Sequence, residues 1–227
     1  MSAVPAPAQR VREVFEHLHA AYGDPGWWPA DNCFEILVGA VLTQNASWTN
    51  VEYALEHLRA ADALTPEAIL DLDEQRLGAL IRPSGYYNVK AQRLQALCRF
   101  VVDAGGIAGL AARDTESLRA GLLGVKGIGH ETADDIVLYA FDRPVFVIDA
   151  YTRRIFARLG LCAGGEPYEE LRAGCEQALG PDVPRFQAYH GLLVVHAKEA
   201  CRKRPACDGC CLRALCPVGQ GELAPPR

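Results

Sequence analysis

No stretch of this chain alternates apolar and polar residues for the length of a strand, whereas apolar residues recur at three- and four-residue spacing along most of it. That periodicity restricts the chain to packed helices. Arg10–Tyr22 gathers Val11, Val14, Phe15, Leu18 and Ala21 on one face, and Asn50–Ala60 gathers Val51, Ala54, Leu55 and Leu58. Phe34–Leu42 is apolar almost throughout, interrupted only by Glu35 and Gly39. Further helices are predicted over 66–71, 73–81, 88–103, 115–122, 131–141, 150–159, 167–179 and 185–200. The joints are marked by Asp24-Pro25-Gly26, Pro83-Ser84-Gly85, Gly105-Gly106, Gly124 to Gly129 and Gly164-Gly165. Val145–Ile148 favours β-structure but is too short to found a sheet. The expectation is an all-α fold of many short helices, preceded by a loose tail over residues 1–8.

At 227 residues the chain has room for one large domain or two small lobes. No apolar run approaches the roughly 18 residues of a membrane helix. Met1–Arg10 has no apolar core of the signal-peptide kind, so a reducing, cytoplasmic setting is expected, with no membrane partner. The net charge of −5 excludes a polycation, so any nucleic-acid contact must come from a local basic face. One stretch, Gln75–Val102, holds Arg76, Arg82, Lys90, Arg93 and Arg99 and no acid; by itself it reads as a solvated helix face.

Nine cysteines divide into two groups. Cys33, Cys98, Cys162 and Cys175 lie among apolar neighbours and read as small buried hydrophobes, while five crowd into residues 201–216. In a reducing compartment such crowding points to a metal site rather than to disulfides. The spacing Cys201-x5-Cys207-x2-Cys210-x5-Cys216 offers four thiolates to one compact centre, iron–sulfur or tetrahedral zinc. A zinc ribbon usually has two Cys-x2-Cys knuckles, and this loop has one; Cys211 is an extra thiol. Arg202, Lys203, Arg204 and Arg213 make the loop basic, which suits phosphates.

Three further features carry chemistry. In Leu123–Ala133, Gly127 and Gly129 permit positive φ, Ile128 can plug a hairpin into a core, and a helix opening near Glu131 points free N–H groups outward. Such a hairpin is a plain joint or a phosphate seat that reads backbone rather than base. Asp149 precedes a helical run, where it is an N-cap worth about 1 kcal/mol, or a fixed carboxylate able to stabilise positive charge on a sugar or to deprotonate water. Trp27, Trp28 and Trp48, all the tryptophans of the chain, fall in one early segment, as packing or as a stacking surface for a base.

Together with Leu37–Asn45 (LVGAVLTQN), Arg82–Ala91 (RPSGYYNVKA) and Val147–Arg154 (VIDAYTRR), these motifs resemble the helix-hairpin-helix DNA glycosylases of the endonuclease III superfamily, from about Trp27 to Cys216. The resemblance implies a two-lobed fold: a helical barrel over 31–143 ending in the hairpin and its second helix, and a second domain from 1–30 with 144–227 carrying the catalytic Asp and a [4Fe–4S] loop, with DNA entering between them. It implies a base-excision-repair enzyme, expected to act as a monomer, nucleoid-associated in a prokaryote, that binds double-stranded DNA and flips a damaged base out of the helix. Asp149 matches the family's catalytic Asp. Gln44 would fill the gap left by the flipped base, and Tyr86 would wedge into the opposite strand; Tyr87 and Asn88 are read as packing or capping residues. Lys126, Gly127, Gly129 and Thr132 would contact DNA. Cys201, Cys207, Cys210 and Cys216 match the cluster ligands, the first gap being one residue shorter than in the family.

Bifunctional members carry a Lys immediately before Thr-Ala at the hairpin's end, where it forms a Schiff base with the sugar. Here that position is Glu131, so a monofunctional enzyme with weak or absent lyase activity is expected. The Trp-Trp-Pro segment is similar to the 3-methyladenine glycosylase branch, which implies a base pocket of Trp27, Trp28, Trp48 and Lys198 and alkylated purines as substrate. The alternatives are an endonuclease III-like glycosylase and lyase for oxidised pyrimidines, and a DNA-binding paralogue with little activity.

Overall fold

A computed structural model describes residues 7–224, and among them there is no strand. Twelve α-helices follow in order: α1 (Pro7–Tyr22), α2 (Cys33–Leu42), α3 (Trp48–Ala60), α4 (Pro66–Asp71), α5 (Glu74–Leu80), α6 (Tyr87–Asp103), α7 (Gly106–Ala111), α8 (Thr115–Leu123), α9 (His130–Asp135), α10 (Ala150–Arg158), α11 (Tyr168–Leu179) and α12 (Val183–Glu199). Single 3-10 turns stand at Arg82–Ser84 and Arg213–Leu215, and α9 runs on as a π-turn over Ile136–Ala140. Residues 1–6 of the expected tail lie outside the described residues, and residues 7 and 8 already belong to α1. Seven of the helix starts have a common cause. Asn32, Ser47, Thr65, Asp73, Asp114, Asp149 and Asp182 each accept a hydrogen bond from the backbone N–H three residues on, satisfying a donor that the first turn leaves open.

The chain forms two compact units, Ala30–Arg143 and the pair of segments Met1–Pro29 and Pro144–Arg227. In the first, α2 is apolar on nearly every side and is the buried axis: Leu37, Val38, Ala40, Val41 and Leu42 are wholly buried. Against it pack α3, α6 and the π-turn, which bring Val51, Leu58, Leu94, Leu97, Ile136 and Val137 into the core. Lys90 of α6 is only 1% exposed; its ammonium donates to the carbonyls of Leu42 (2.8 Å) and Ser84 (2.7 Å). It thereby ties the end of α2 to the turn before Tyr86. Burial, reinforced by the nearby Arg93 charge, lowers Lys90 to about 8. The basic stretch is therefore not one solvated face: Lys90 is buried and Arg93 half-buried, and only Arg76, Arg82 and Arg99 are exposed.

In the second unit α1 packs on α11 and α12, and α10 packs on α12. Tyr189 of α12 is the hub. Its ring lies 5.3 Å from Phe15 and 5.6 Å from Phe146, and its hydroxyl donates to the Val11 carbonyl at 2.9 Å. The β-favouring run Val145–Ile148 is an extended, fully buried link, with Glu176 accepting the Phe146 N–H and the Tyr168 hydroxyl accepting the Ile148 N–H. Cys98 and Cys175 are buried in the cores, which pushes both thiols up to about 12; Cys33 and Cys162 are half-buried.

Candidate active site

The hairpin connects α8 to α9. Gly127 is at φ +90°, and a Cβ there would stand 2.4 Å from Arg93 Cγ, so both backbone and space require glycine. Gly129 is different from expectation: its φ is −94° with ψ −179°, extended backbone open to any residue. It is free of near neighbours and serves as the α9 cap without a side chain. Ile128 is buried as the plug, while Lys126, Gly127, Gly129 and Glu131 are exposed. The two helices are clamped by a bidentate ion pair that the sequence reading missed: Arg119 of α8 meets the fully buried Asp134 of α9 at 2.5 Å and 3.0 Å.

Gln44 sits in the turn after α2. Its amide donates to the Gly127 carbonyl (3.2 Å) and to the Thr132 hydroxyl (2.9 Å), and its carbonyl accepts from Arg93. Thr132 is buried, so its hydroxyl supports Gln44 rather than facing solvent. Gly127→Ala is expected to push Arg93 away and break this network, costing about 2–4 kcal/mol of stability. A urea melt checks the stability, and duplex affinity measured on the same protein should fall with it.

Tyr86 stands 72% exposed at the head of α6, with φ +46° after Gly85 at φ +68°. A bulky side chain in the left-handed region is an uncommon arrangement, and here it holds an aromatic ring out into solvent. Tyr87 packs beneath, its ring 5.9 Å from the Arg82 guanidinium; Asn88 does not cap α6, which has no side-chain cap. Trp48 opens α3 and donates its indole N–H to Glu52 at 3.0 Å.

In the other unit, Trp27 and Trp28 are half-buried and lie edge to face, 6.0 Å between ring centres, and the Lys198 ammonium is 5.7 Å from the Trp27 ring centre. This segment can lie on α12 only because residue 191 is glycine: a Cβ there would meet Trp27 Cβ at 2.7 Å and Pro25 Cγ at 2.9 Å.

Asp149 is 8% exposed at the head of α10, and its Oδ1 accepts the Thr152 N–H at 2.6 Å. Its Oδ2 lies 3.8 Å from Nε2 of His190, which is 4% exposed on α12. Burial works to raise the Asp149 pKa, but the His190 contact and the Thr152 hydrogen bonds outweigh it and hold the carboxyl below the usual range. His190 was missed because a histidine on the apolar face of a helix reads as core packing. The arrangement offers a fixed anion with one edge still reachable.

Cys201, Cys207, Cys210 and Cys216 line one cavity with Ile155, Leu159 and Leu212. Among the described residues no three His, Cys, Asp or Glu side chains converge on a point that could hold a single metal ion. Donors do aim at the sulfurs: the Arg158 guanidinium at Cys201 Sγ (3.1 Å) and the Gly219 N–H at Cys216 Sγ (3.4 Å). Arg158, itself buried, also donates to the carbonyls of Arg202 and Lys203. Cys211 does not line that cavity; its sulfur lies 4.0 Å from His196 Nδ1, whereas Cys210 approaches the other nitrogen of that ring at 3.7 Å.

Comparison with known proteins gives a consistent result. Residues 38–181 match the model of the HhH-GPD superfamily of base excision DNA repair proteins. The chain is 44% identical over 211 residues to a putative DNA repair glycosylase of Methanocaldococcus jannaschii, covering 92% of this chain and 96% of that protein. It superposes on an endonuclease III in a non-covalent complex with DNA at a TM-score of 0.81 with 23% identity, over 97% of this chain and 98% of the other. It also superposes on the 3-methyladenine DNA glycosylase of Helicobacter pylori bound to 1,N6-ethenoadenine, with a TM-score of 0.70 and 29% identity over 86% of this chain and 98% of that one.

Proposed function

The chain belongs to the HhH-GPD superfamily of base excision DNA repair proteins, and from that premise we propose that it is a monofunctional DNA glycosylase that hydrolyses the N-glycosidic bond of a flipped, alkylated purine. The observation that carries this reading is an ionised, nearly buried Asp149 together with an exposed glutamate at position 131, where an amine would be needed for lyase chemistry. As the bond from C1′ to the base nitrogen breaks, its electron pair leaves with the base and positive charge grows on the sugar. The Asp149 carboxylate stabilises that charge; water adds its oxygen to C1′, and its proton passes to the carboxylate. A carboxylate at Glu131 cannot form an imine, so no strand cleavage follows.

The substrate assignment rests on Trp27, Trp28 and Lys198. A purine nucleoside methylated at N3 or N7 is cationic and its base leaves readily, and the Trp27 ring already attracts one cation in Lys198. The similar Helicobacter pylori enzyme is a 3-methyladenine glycosylase holding an etheno-adenine. Gln44, Tyr86 and the Lys126–Gly129 hairpin are assigned to the duplex, the hairpin offering exposed backbone N–H groups and a lysine to phosphates. No described helix is long and apolar enough to cross a membrane.

The four cysteines fit a [4Fe–4S] cluster. Their sulfurs surround a mainly apolar cavity instead of closing on one point, and two already receive N–H donors suited to thiolates. We assign Cys201, Cys207, Cys210 and Cys216 as its ligands; when bound, it would supply a four-point crosslink of the loop.

The test is a glycosylase assay on dimethyl-sulfate-methylated duplex and on a thymine-glycol duplex, scored with and without alkali. Nicks on the methylated duplex that need alkali are expected, with no borohydride-trapped adduct. Glu131→Lys is expected to gain a trappable adduct. Equal nicking without alkali on thymine glycol would replace this reading with an endonuclease III-like one, and no excision of either would leave a binding protein.

A further inference from the structure

Each oxygen of the Asp149 carboxylate is met by a polar group, and the two groups come from different elements. Oδ1 is fixed by the backbone of its own helix, through the Thr152 N–H at 2.6 Å. Oδ2 is faced by His190 Nε2 at 3.8 Å, from the middle of α12. An N-cap bond alone leaves the carboxylate free to swing about its last torsion, since a terminal sp³–sp² torsion has a broad, shallow profile. A second group at Oδ2 sets that angle, and the angle decides which lone pairs meet the sugar carbon or the attacking water. The histidine is itself set. Its neighbour Tyr189 is locked among Phe15, Phe146 and the Val11 carbonyl, and Gly191 on the other side is pinned against Trp27. The segment that carries His190 is therefore rigid, and it is the segment on which the tryptophan pair rests.

We propose that His190 is a positioning residue for base excision: its Nε2 fixes the plane of the Asp149 carboxylate, and α12 thereby registers the catalytic anion against the Trp27–Trp28 surface. This inference rests on the assignment of Asp149 as the catalytic group. The His190 contact is also one of the interactions that hold a carboxylate this deeply buried below its ordinary range. Nothing in the motifs of the chain signals the role, because it is created by a contact between residues 149 and 190, forty-one positions apart in the numbering.

The test compares His190→Leu, His190→Gln and Asp149→Asn on methylated duplex DNA, measuring the single-turnover excision rate and the duplex Kd separately. His190→Leu is expected to lower the rate by about 10- to 100-fold, the scale of a misplaced catalytic group, with Kd changed less than about twofold. His190→Gln returns an N–H donor near the Nε2 position and is expected to recover most of the rate, which mere filling of space would not do. A wild-type rate for His190→Leu beside an inactive Asp149→Asn overturns the inference and spares the reading it rests on. An active Asp149→Asn overturns that reading instead. Should His190→Leu fail to fold, His190→Asn takes its place, since its shorter amide does not reach Oδ2; equal rates for Asn and Gln overturn the proposal.

Discussion

Asp149→Asn is expected to lower the single-turnover rate of base excision by about 10³-fold while leaving the protein folded and its duplex affinity nearly unchanged. The substitution is informative because asparagine keeps what is structural in the residue. Its side-chain oxygen still accepts the Thr152 N–H and still caps α10. What disappears is the negative charge opposite the developing positive charge of the sugar. The variant should also change the acid limb of stability. The Asp149 carboxyl is held below its ordinary value in the folded protein, so the stability it contributes is complete above the unfolded value of about 3.9. That contribution is lost as pH falls through the lower folded value. Thermal melts of the two proteins should differ most near neutrality and converge in strong acid. An asparagine variant that retained excision would remove the carboxylate from the mechanism altogether.

The helical periodicity carried most of the architecture because the cores are built from single faces of short helices, and those faces are spelled out by residues such as Val51, Leu55 and Leu58. It failed at α7, where Gly105, Gly106 and Gly109 dilute the pattern of a six-residue helix below recognition. The site divides in the same way. Asp149, the hairpin and the cysteines were legible because each is a local signal, an N-cap, a glycine turn or a ligand spacing. The residues that hold them were not. Lys90 and Arg93 look like surface cations in a basic run, yet one ties two carbonyls in the interior and the other supports Gln44 beneath the hairpin. Arg119 with Asp134, and His190 with Asp149, are pairs that exist only after the helices pack. Charge read along a sequence gives no account of burial, and burial decides what these side chains do.

Cys207→Ala is expected to abolish the brown colour and the iron of the purified protein and to make residues 202–204 a rapid target for trypsin, whereas Cys211→Ser should leave iron at about four per chain. The reason lies in what else could hold this loop. Among the described residues after 200, Leu212 alone is buried. Ordering a residue costs on the order of 1–2 kcal/mol of backbone entropy, so one leucine cannot order a segment of this length. The hydrogen bonds from Arg158 to the Arg202 and Lys203 carbonyls fasten its first turn, and Arg10 donates to the Leu215 carbonyl at 2.8 Å near its end, so the turns between, with Cys207 and Cys210, have the least holding them. The proposed crosslink through four sulfurs would hold that middle stretch, and losing one thiolate would open the ring of ligands around the cavity. Arg202, Lys203 and Arg204 would then be free for protease and no longer fixed for phosphate, so duplex affinity should weaken along with the loop. Zinc without iron in the purified protein would keep the crosslink and overturn the cluster; full iron in Cys207→Ala would overturn the ligand assignment.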